Sequence, residues 1–570
     1  MKPLPVPPLA QTLQRYLAAV GPLSDEAQFA ATAAVVEAYA TKDGAAHQQA
    51  LEAFAAQEAR RGRSWLAEAW LAGYLTVREP LPLTTSVGFL VNWPGAATGL
   101  DRAADFLHRL AAVHLDWLRG DLEPELTGRG EQVDPVQRAY LAGGIRAPGA
   151  GTDTVVAGLH HAENREMVVL WRGVPYAVAI SAGDGQPLSR PALVQALGTI
   201  VARPEAQQDF AELSYLGSPA LARLLPTVLA DPANAATYDR LTRALFVVNL
   251  DGSGDEDTFL SRATVGIGQA WAYKPVTYQI ALAEGHLAVH VEHSTFDGAA
   301  LKNVIGLAQA RAADDSPRAA DTVEALPWSL PEGVVAEVAN RVERYRAQAG
   351  EHRVHTVPVG IAVPDLPFRV SSDAVAQIVM AYAQRASYGR LRSTYEAVDM
   401  REYQAGRTEC LRPLTGAMVA LVEALLAERA GRAELEQALA AHKGQVIACK
   451  SGQAIDRHLF GLRLMAEREN VASPLHDDDG YRRLTTDFLS TTSLGDPHQI
   501  VRFAFAPTSP GGIGISYGAN ADVYEFCLNY RADERGADIE TFIENLTEAG
   551  RRIERLLGRI AGEESADQGS

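Results

Sequence analysis

The chain has 570 residues, 47% of them hydrophobic and 21% charged, enough to bury more than one core and unlike a disordered chain. A formal net charge of -18 argues against a nucleic-acid binder and against adsorption to anionic lipid. The three cysteines, Cys410, Cys449 and Cys527, have no paired spacing; they suggest neither a disulfide framework nor a zinc site and fit a reducing compartment, so the expected setting is the cytoplasm.

The opening MKPLPVPPLAQTL is broken by four prolines and lacks the apolar segment of a signal peptide. No run of about 18 apolar residues follows, so no contact with a membrane is expected. Residues 10–75 read as helices, because Leu9, Leu13, Tyr16, Leu17 and Val20 recur at helical spacing and the pattern continues. The text WLAEAWLAGYLTVREPLPL is a helix with two tryptophans, stopped at Pro80 and Pro82. After an amphipathic helix at 100–120 the period changes to two, with strands at 167–171, 176–180, 244–249, 276–282 and 287–291 between helices. A long helix at 331–348 reads as a connector. A second set starts at 355: strand 355–363, helices 372–386 and 416–430, strands 500–506 and 513–517, and a closing helix at about 538–560. Strands separated by helices predict layered α/β domains, and no fixed-period repeat is visible.

The stretch TYQIALAEGHLAVHVEHSTFDG is two alternating strands joined at Glu284-Gly285, the second delivering His293 at its end. Asp297 follows four residues on, so an imidazole and a carboxylate share one short strand-to-loop span. One ring nitrogen can then be oriented while the other acts as a base. A histidine satisfied at a strand end and an aspartate forming a turn before glycine would read the same. Four further blocks accompany it: TYEAVDMREYQAGRTE with Tyr395, Arg401, Arg407 and Thr408; AIDRHLFGLRL with Arg457 and His458; LSTTS with hydroxyls at Ser490, Thr491, Thr492 and Ser493; and the glycine-rich GGIGISYG. Taken singly, each is also what a capping hydroxyl, a surface arginine or a solvated loop would look like.

Together, and in this order, LPVPPLAQTLQRYLAAVGPL, WLAEAWLAGYLTVREPL, EHSTFDG, TYE with GRTE, DRHLFGL and LSTTS resemble the choline/carnitine acyltransferase family over nearly the full length. The resemblance implies two similar α/β domains of the chloramphenicol-acetyltransferase-like type with an active-site tunnel between them. Domains are expected at 71–335, carrying the histidine, and at 336–570, carrying the acceptor and STTS motifs, with the N-terminal helices of 1–70 associated with the second. It places His293 as the catalytic base and Asp297 as its acidic partner. An alcohol is a poor nucleophile near neutral pH, so a positioned base must take its proton as it attacks a thioester, and Thr492, Ser490 or Ser493 would donate to the oxyanion. No nucleophile elbow or cysteine signature is present, which fits direct transfer without an acyl-enzyme. Tyr395, Thr408 and Arg457 fall where carnitine-specific members bind the acceptor's carboxylate, and arginine suits a carboxylate through parallel donors.

The departures bear on the donor. Family members carry lysines shortly before the helix that begins at 372; here GIAVPDLPFRVSSD offers only Arg369. STTS stands where STSQ is common, and Asp399 replaces a small hydroxyl residue. Arg369, Asp373, Arg385 and Arg390 are the donor-binding candidates, with Arg392 beside them. The co-substrate is expected to be a coenzyme A or phosphopantetheine thioester, an acyl carrier protein being a candidate partner because a carrier-bound acyl group would not need those lysines. Phe503, with Arg502 as the one-residue alternative, is expected to set the depth of the acyl pocket. No metal and no permanently bound cofactor are expected, and the chain is read as a monomer. The alternatives are an acyltransferase of the plant-alcohol or peptide-condensation type, whose DFGWG-like or doubled-histidine signatures are absent, and a non-catalytic ligand-binding relative.

Overall fold

A computed structural model describes residues 1–163, 165–181, 183–203, 209–316, 318, 323–532 and 536–567. In chain order the strands are β1 (Val87–Val91), β2 (Gly144–Ala147), β3 (Thr154–Ala157), β4 (Glu166–Trp171), β5 (Val174–Ala179), β6 (Val247–Asn249), β7 (Val276–Ile280), β8 (Leu287–Val291), β9 (Val323–Ala325), β10 (His352–Gly360), β11 (Thr394–Asp399), β12 (Thr408–Leu411), β13 (Leu489–Thr492), β14 (Ile500–Phe505), β15 (Ile513–Asn520) and β16 (Val523–Arg531). The chain forms two units. The first is Trp70–His355 with Pro497–Ala506; the second is Met1–Ala69 with Thr356–Asp496 and Pro507–Ser570.

The first unit holds an eight-stranded sheet in the order β14-β1-β8-β7-β6-β4-β5-β9, and the second a six-stranded sheet in the order β10-β16-β15-β13-β11-β12. The two share one plan. In the first, β5 lies antiparallel to β4, the strands β4, β6 and β7 run parallel, and β8 returns antiparallel to β7. In the second, β12 lies antiparallel to β11, the strands β11, β13 and β15 run parallel, and β16 returns antiparallel to β15. A long helix precedes each set, Gly99–Arg119 in the first and Ser372–Tyr388 in the second. A closing helix follows each hairpin, Gly298–Ala310 after β8 and Gly536–Asp567 after β16. Thus each unit is α/β with a large mixed sheet, and the likeness between them is one of topology.

Local chemistry accounts for the hairpin that ends at the histidine. Both β7 and β8 are buried along their whole length, as strands covered on both faces are, and Gly285, at φ 78, supplies the left-handed residue of the turn between them. The helix Gly99–Arg119 covers this part of the sheet. Phe106 meets Tyr278 edge-on, and His114 donates from Nδ1 to the carbonyl of Leu141 and accepts at Nε2 from the hydroxyl of Tyr278, its pKa pushed down to about 4 by burial.

Two boundaries differ from the sequence expectation, and the placement of the N-terminal helices agrees with it. The second domain starts near 356 and not at 336, because the helix Glu332–Glu351 buries Val334, Val338, Val342 and Tyr345 in the core of the first unit. Residues 497–506 join the first unit although they follow the second domain's motifs, since β14 pairs antiparallel with β1 and completes its sheet. The N-terminal helices belong to the second unit. There His458 accepts from Thr12 Oγ1 at 2.7 Å and donates to Gln48 Oε1 at 2.9 Å, and Gly461 leaves room for Leu51 and Trp65 against its helix.

Candidate active site

His293 stands two residues beyond β8, on the loop that leads into the helix Gly298–Ala310. Its Nδ1 lies 2.7 Å from the carbonyl oxygen of Phe296, which fixes the proton on Nδ1 and leaves the lone pair on Nε2. Here the structure departs from the expected dyad. The Asp297 carboxylate lies 3.7 Å from Nε2, beyond hydrogen-bond reach, and accepts from Gln137 Nε2 at 3.0 Å, while Gln137 Oε1 accepts from the Asp297 backbone at 2.8 Å. The loop folds its own carbonyl back onto the ring, so the orienting group is a backbone oxygen, with the Asp297 carboxylate 3.7 Å from the other ring nitrogen.

A buried ionic network brackets the histidine. Glu292 accepts from Arg146 Nη1 at 2.9 Å and from the hydroxyl of Ser294 at 2.6 Å, so the residues on both sides of His293 are held by one carboxylate. Arg146 also donates to Asp153 Oδ2 at 2.9 Å and to the carbonyl of Tyr74 at 2.8 Å. Tyr74 in turn presents its ring edge-on to His293 at 5.5 Å between centroids. Arg146 and Glu292 are both about 1% exposed, and such a pair is costly to break singly. Glu292 was visible in the motif as the residue before the histidine. Arg146, in the apolar text GIRA, gave no signal of its partners.

The acceptor candidates come together in the second unit. Arg457 donates through Nη2 to the Tyr395 hydroxyl at 3.0 Å and to Thr408 Oγ1 at 3.1 Å, and through Nε to the Thr408 carbonyl at 2.6 Å. β11 supplies the tyrosine, β12 the threonine and the first turn of the helix Asp456–Glu469 the arginine. Burial pulls the guanidinium pKa down, but Tyr395, Glu409 and Asp456 beside it more than offset that and hold it above its ordinary value. Burial raises the Tyr395 phenol, which therefore stays neutral. Asp399, the residue that departs from the family pattern, accepts from the backbone and Nε of Arg401 at 3.1 and 3.0 Å.

The hydroxyl cluster is strand β13, and its register sorts its members. Ser490 pairs with Tyr395 on β11, so Ser490 and Thr492 share the face that Tyr395 presents, while Thr491 points to the opposite face. Thr491 is consumed there, donating to the Tyr395 carbonyl at 2.8 Å and accepting from Gln377 at 3.0 Å. Ser493 accepts from the Gly495 backbone at 3.1 Å, a local turn. That leaves Ser490 and Thr492 as the hydroxyls positioned together with Tyr395.

Arg369 lines a cavity of about 430 Å³ with Phe368, Ser371, His442 and Lys443 at the start of the helix Ser372–Tyr388. Lys443 reaches this cavity from the helix Arg432–Lys450, together with Glu436, and sequence order gave no reason to place either there. Asp373, at the edge of this region, accepts from His442 Nε2 at 2.9 Å and from the Tyr517 hydroxyl at 2.7 Å. The other donor candidates do not join it. Arg385 is paired with Glu423 at 2.6 Å, Arg392 lies 3.2 Å over the Phe488 ring, and Arg390 is exposed in the turn after the helix.

Asp373, Glu396 and His442 form the one group among the described residues with three ligand atoms within 4.8 Å of one another. Tyr517 closes it: its hydroxyl lies 2.7 Å from Asp373 and 2.8 Å from Glu396. A phenol has one proton to give, so one of the two carboxyls carries its own. That is Glu396, whose pKa burial raises well above the ordinary range, whereas at Asp373 burial is outweighed by His442 and Tyr517, which hold it below its ordinary value.

On β14, Phe503 is opposite Phe89 and their rings stack at 5.2 Å; Arg502 faces the other way and pairs with Glu256 at 3.0 Å. Strand alternation puts the two on opposite faces, Phe503 among apolar side chains and Arg502 among carboxylates.

A family model for choline/carnitine O-acyltransferases matches residues 4–548. The chain belongs to that family. It is 25% identical to choline O-acetyltransferase of Gallus gallus over 92% of this chain and 88% of that protein. It is 26% identical to mitochondrial carnitine O-palmitoyltransferase 2 of Bos taurus, again over 92% and 88%, and 24% identical to carnitine O-acetyltransferase of Homo sapiens over 95% and 91%. A member of the choline/carnitine acyltransferase family is a transferase that moves an acyl group to a hydroxyl, and no helix among the described residues of this one is long and apolar enough to cross a membrane.

Proposed function

We propose that this chain transfers an acyl group between a thioester and the hydroxyl of carnitine, or of a carnitine-like amino alcohol that carries a carboxylate. The observation that carries this reading is Arg457, buried and aimed with Tyr395 and Thr408. A site for choline alone has no use for a buried cation, whereas a carboxylate gains charge-assisted hydrogen bonds from it. His293 Nε2 takes the hydroxyl proton as the acceptor oxygen attacks the thioester carbonyl. The C–S bond then breaks, the thiolate leaves, and the imidazolium returns the proton to it. Asp297 stabilises the imidazolium in between, and Ser490 or Thr492 donates to the tetrahedral oxyanion.

Arg369 and Lys443 in one cavity favour a donor that bears phosphates, so the donor in this reading is a coenzyme A thioester, with the carrier-bound acyl group as the alternative. Thiol release from acetyl-coenzyme A is to be followed with L-carnitine and with choline, for the wild type and Arg457→Asn. The expected result is a wild-type preference for L-carnitine in kcat/KM that falls by about tenfold or more in the variant, the equivalent of a lost charge-assisted contact of roughly 1.5–3 kcal/mol. An unchanged ratio between the two acceptors would overturn the reading.

A further inference from the structure

The helix that carries Arg457 has no capping side chain of its own. Its N-cap residue is Ile455, which makes no side-chain hydrogen bond, and the helix therefore begins with backbone N–H groups that need an acceptor from elsewhere. Glu409 on β12 supplies it. Its Oε1 accepts from the backbone N–H of Arg457 at 3.3 Å and from that of Cys410 at 2.7 Å, and the residue is 3% exposed. Glu409 thus lies one residue from Thr408, which accepts from Arg457, and one hydrogen bond from Arg457 itself.

We propose that Glu409 is a positioning residue for Arg457 whose ionisation sets the affinity for the acceptor's carboxylate: neutral, it caps the helix; ionised, it adds a competing negative charge beside the guanidinium. This rests on the acceptor reading above. Desolvation raises the Glu409 carboxyl to about 7, with Arg457 pulling against that shift and Asp456 adding to it. Glu396, on the same face of the sheet as Glu409, is a second buried carboxyl raised well above the ordinary range, and the Glu409 variants below separate the two. Asp456 is paired with Arg412, burial raises the Tyr395 phenol, and burial together with Glu409 raises the Cys449 thiol on the neighbouring helix. The sign follows directly. Glu409 is neutral below about 7 and charged above it, so affinity for a carboxylate acceptor falls as pH rises through neutrality.

The test is the pH dependence of KM for L-carnitine and for choline between pH 6 and 8, with kcat recorded separately, for the wild type and for Glu409→Gln and Glu409→Leu. In the wild type, KM for L-carnitine is expected to rise by about tenfold across this range, the scale of a nearby charge in a buried site, while KM for choline stays level. Glu409→Gln keeps an oxygen for both N–H groups without the charge, so its KM for L-carnitine should be level and low, with the kcat profile of the wild type. Glu409→Leu loses the cap and should show a raised KM at every pH. A level wild-type KM for L-carnitine, or the same rise in Glu409→Gln, overturns the inference. If that happens while Arg457→Asn still abolishes the preference for L-carnitine, the acceptor reading stands and only the role of Glu409 falls. If Arg457→Asn leaves the preference unchanged, the acceptor reading falls first.

Discussion

At the scale of single residues the proposed working parts are a base and a charge: His293 is fixed by groups of its own motif, Arg457 by Tyr395 and Thr408 from another. His293 is oriented by the Phe296 carbonyl at 2.7 Å and held between Glu292-bound neighbours, so removing its ring takes away the proton acceptor without disturbing those contacts. His293→Ala is expected to lower kcat by a hundredfold or more while far-UV circular dichroism and the melting temperature stay near wild type, the usual scale for a positioned general base. Retention of most of the turnover would remove His293 from the chemistry. Asp297→Asn is not an equivalent change, because Asp297 accepts from Gln137 and not from the histidine. The residue pair HxxxD is legible in sequence, but which atom of the loop meets the ring is decided by how the chain turns after β8.

Elements act here by delivering side chains from distant parts of the chain to one place. The helix Arg432–Lys450 carries no recognisable motif, yet it brings Lys443 to the cavity that Arg369 and Ser371 line from another segment. Coenzyme A ends in a nucleotide with phosphates that pantetheine lacks, and a cation at the rim of this cavity matters only for the former. Lys443→Ala is therefore expected to raise KM for acetyl-coenzyme A by about fivefold to tenfold, consistent with one charge-assisted contact at an exposed site, and to leave KM for acetyl-pantetheine unchanged. Equal effects on both thioesters would place the nucleotide elsewhere. The three arginines that follow in sequence, Arg385, Arg390 and Arg392, looked equally good by charge alone. Arg385 and Arg392 are already engaged, with Glu423 and with the Phe488 ring, which a sequence pattern cannot reveal.

For the whole molecule, the decisive feature is that one chain builds the same sheet plan twice and then exchanges a strand. β14 follows the hydroxyl cluster in sequence but belongs to the unit that carries His293, where it extends the sheet beyond β1. Phe503 arrives with it and stacks on Phe89, two large rings buried on one face of that sheet. We expect Phe503→Gly to extend activity toward longer acyl groups, at a cost in stability of about 3–5 kcal/mol or more for the cavity left behind. The check is kcat/KM across acetyl, octanoyl and palmitoyl donors; a wild-type enzyme that already prefers palmitoyl would overturn the assignment of Phe503 as the stop.

The sequence by itself determined the family, because six ordered blocks from the N-terminal helices to LSTTS carry the match across residues 4–548. It also determined the α/β class, since the change from helical spacing to alternation is a local property of the text, and it named Arg457, Tyr395 and Thr408, which do meet. The resemblance implied two similar domains, and the tertiary structure showed in what they are alike, strand order and direction, which can repeat while side chains do not. It alone moved the boundary from 336 to about 356, since the helix Glu332–Glu351 is assigned by what its apolar face packs against. It alone separated Ser490 and Thr492 from Thr491 and Ser493, because strand register puts alternate residues on opposite faces. And it alone placed Glu409, Arg146 and Lys443, because contacts between residues far apart in the chain leave no periodic trace in it.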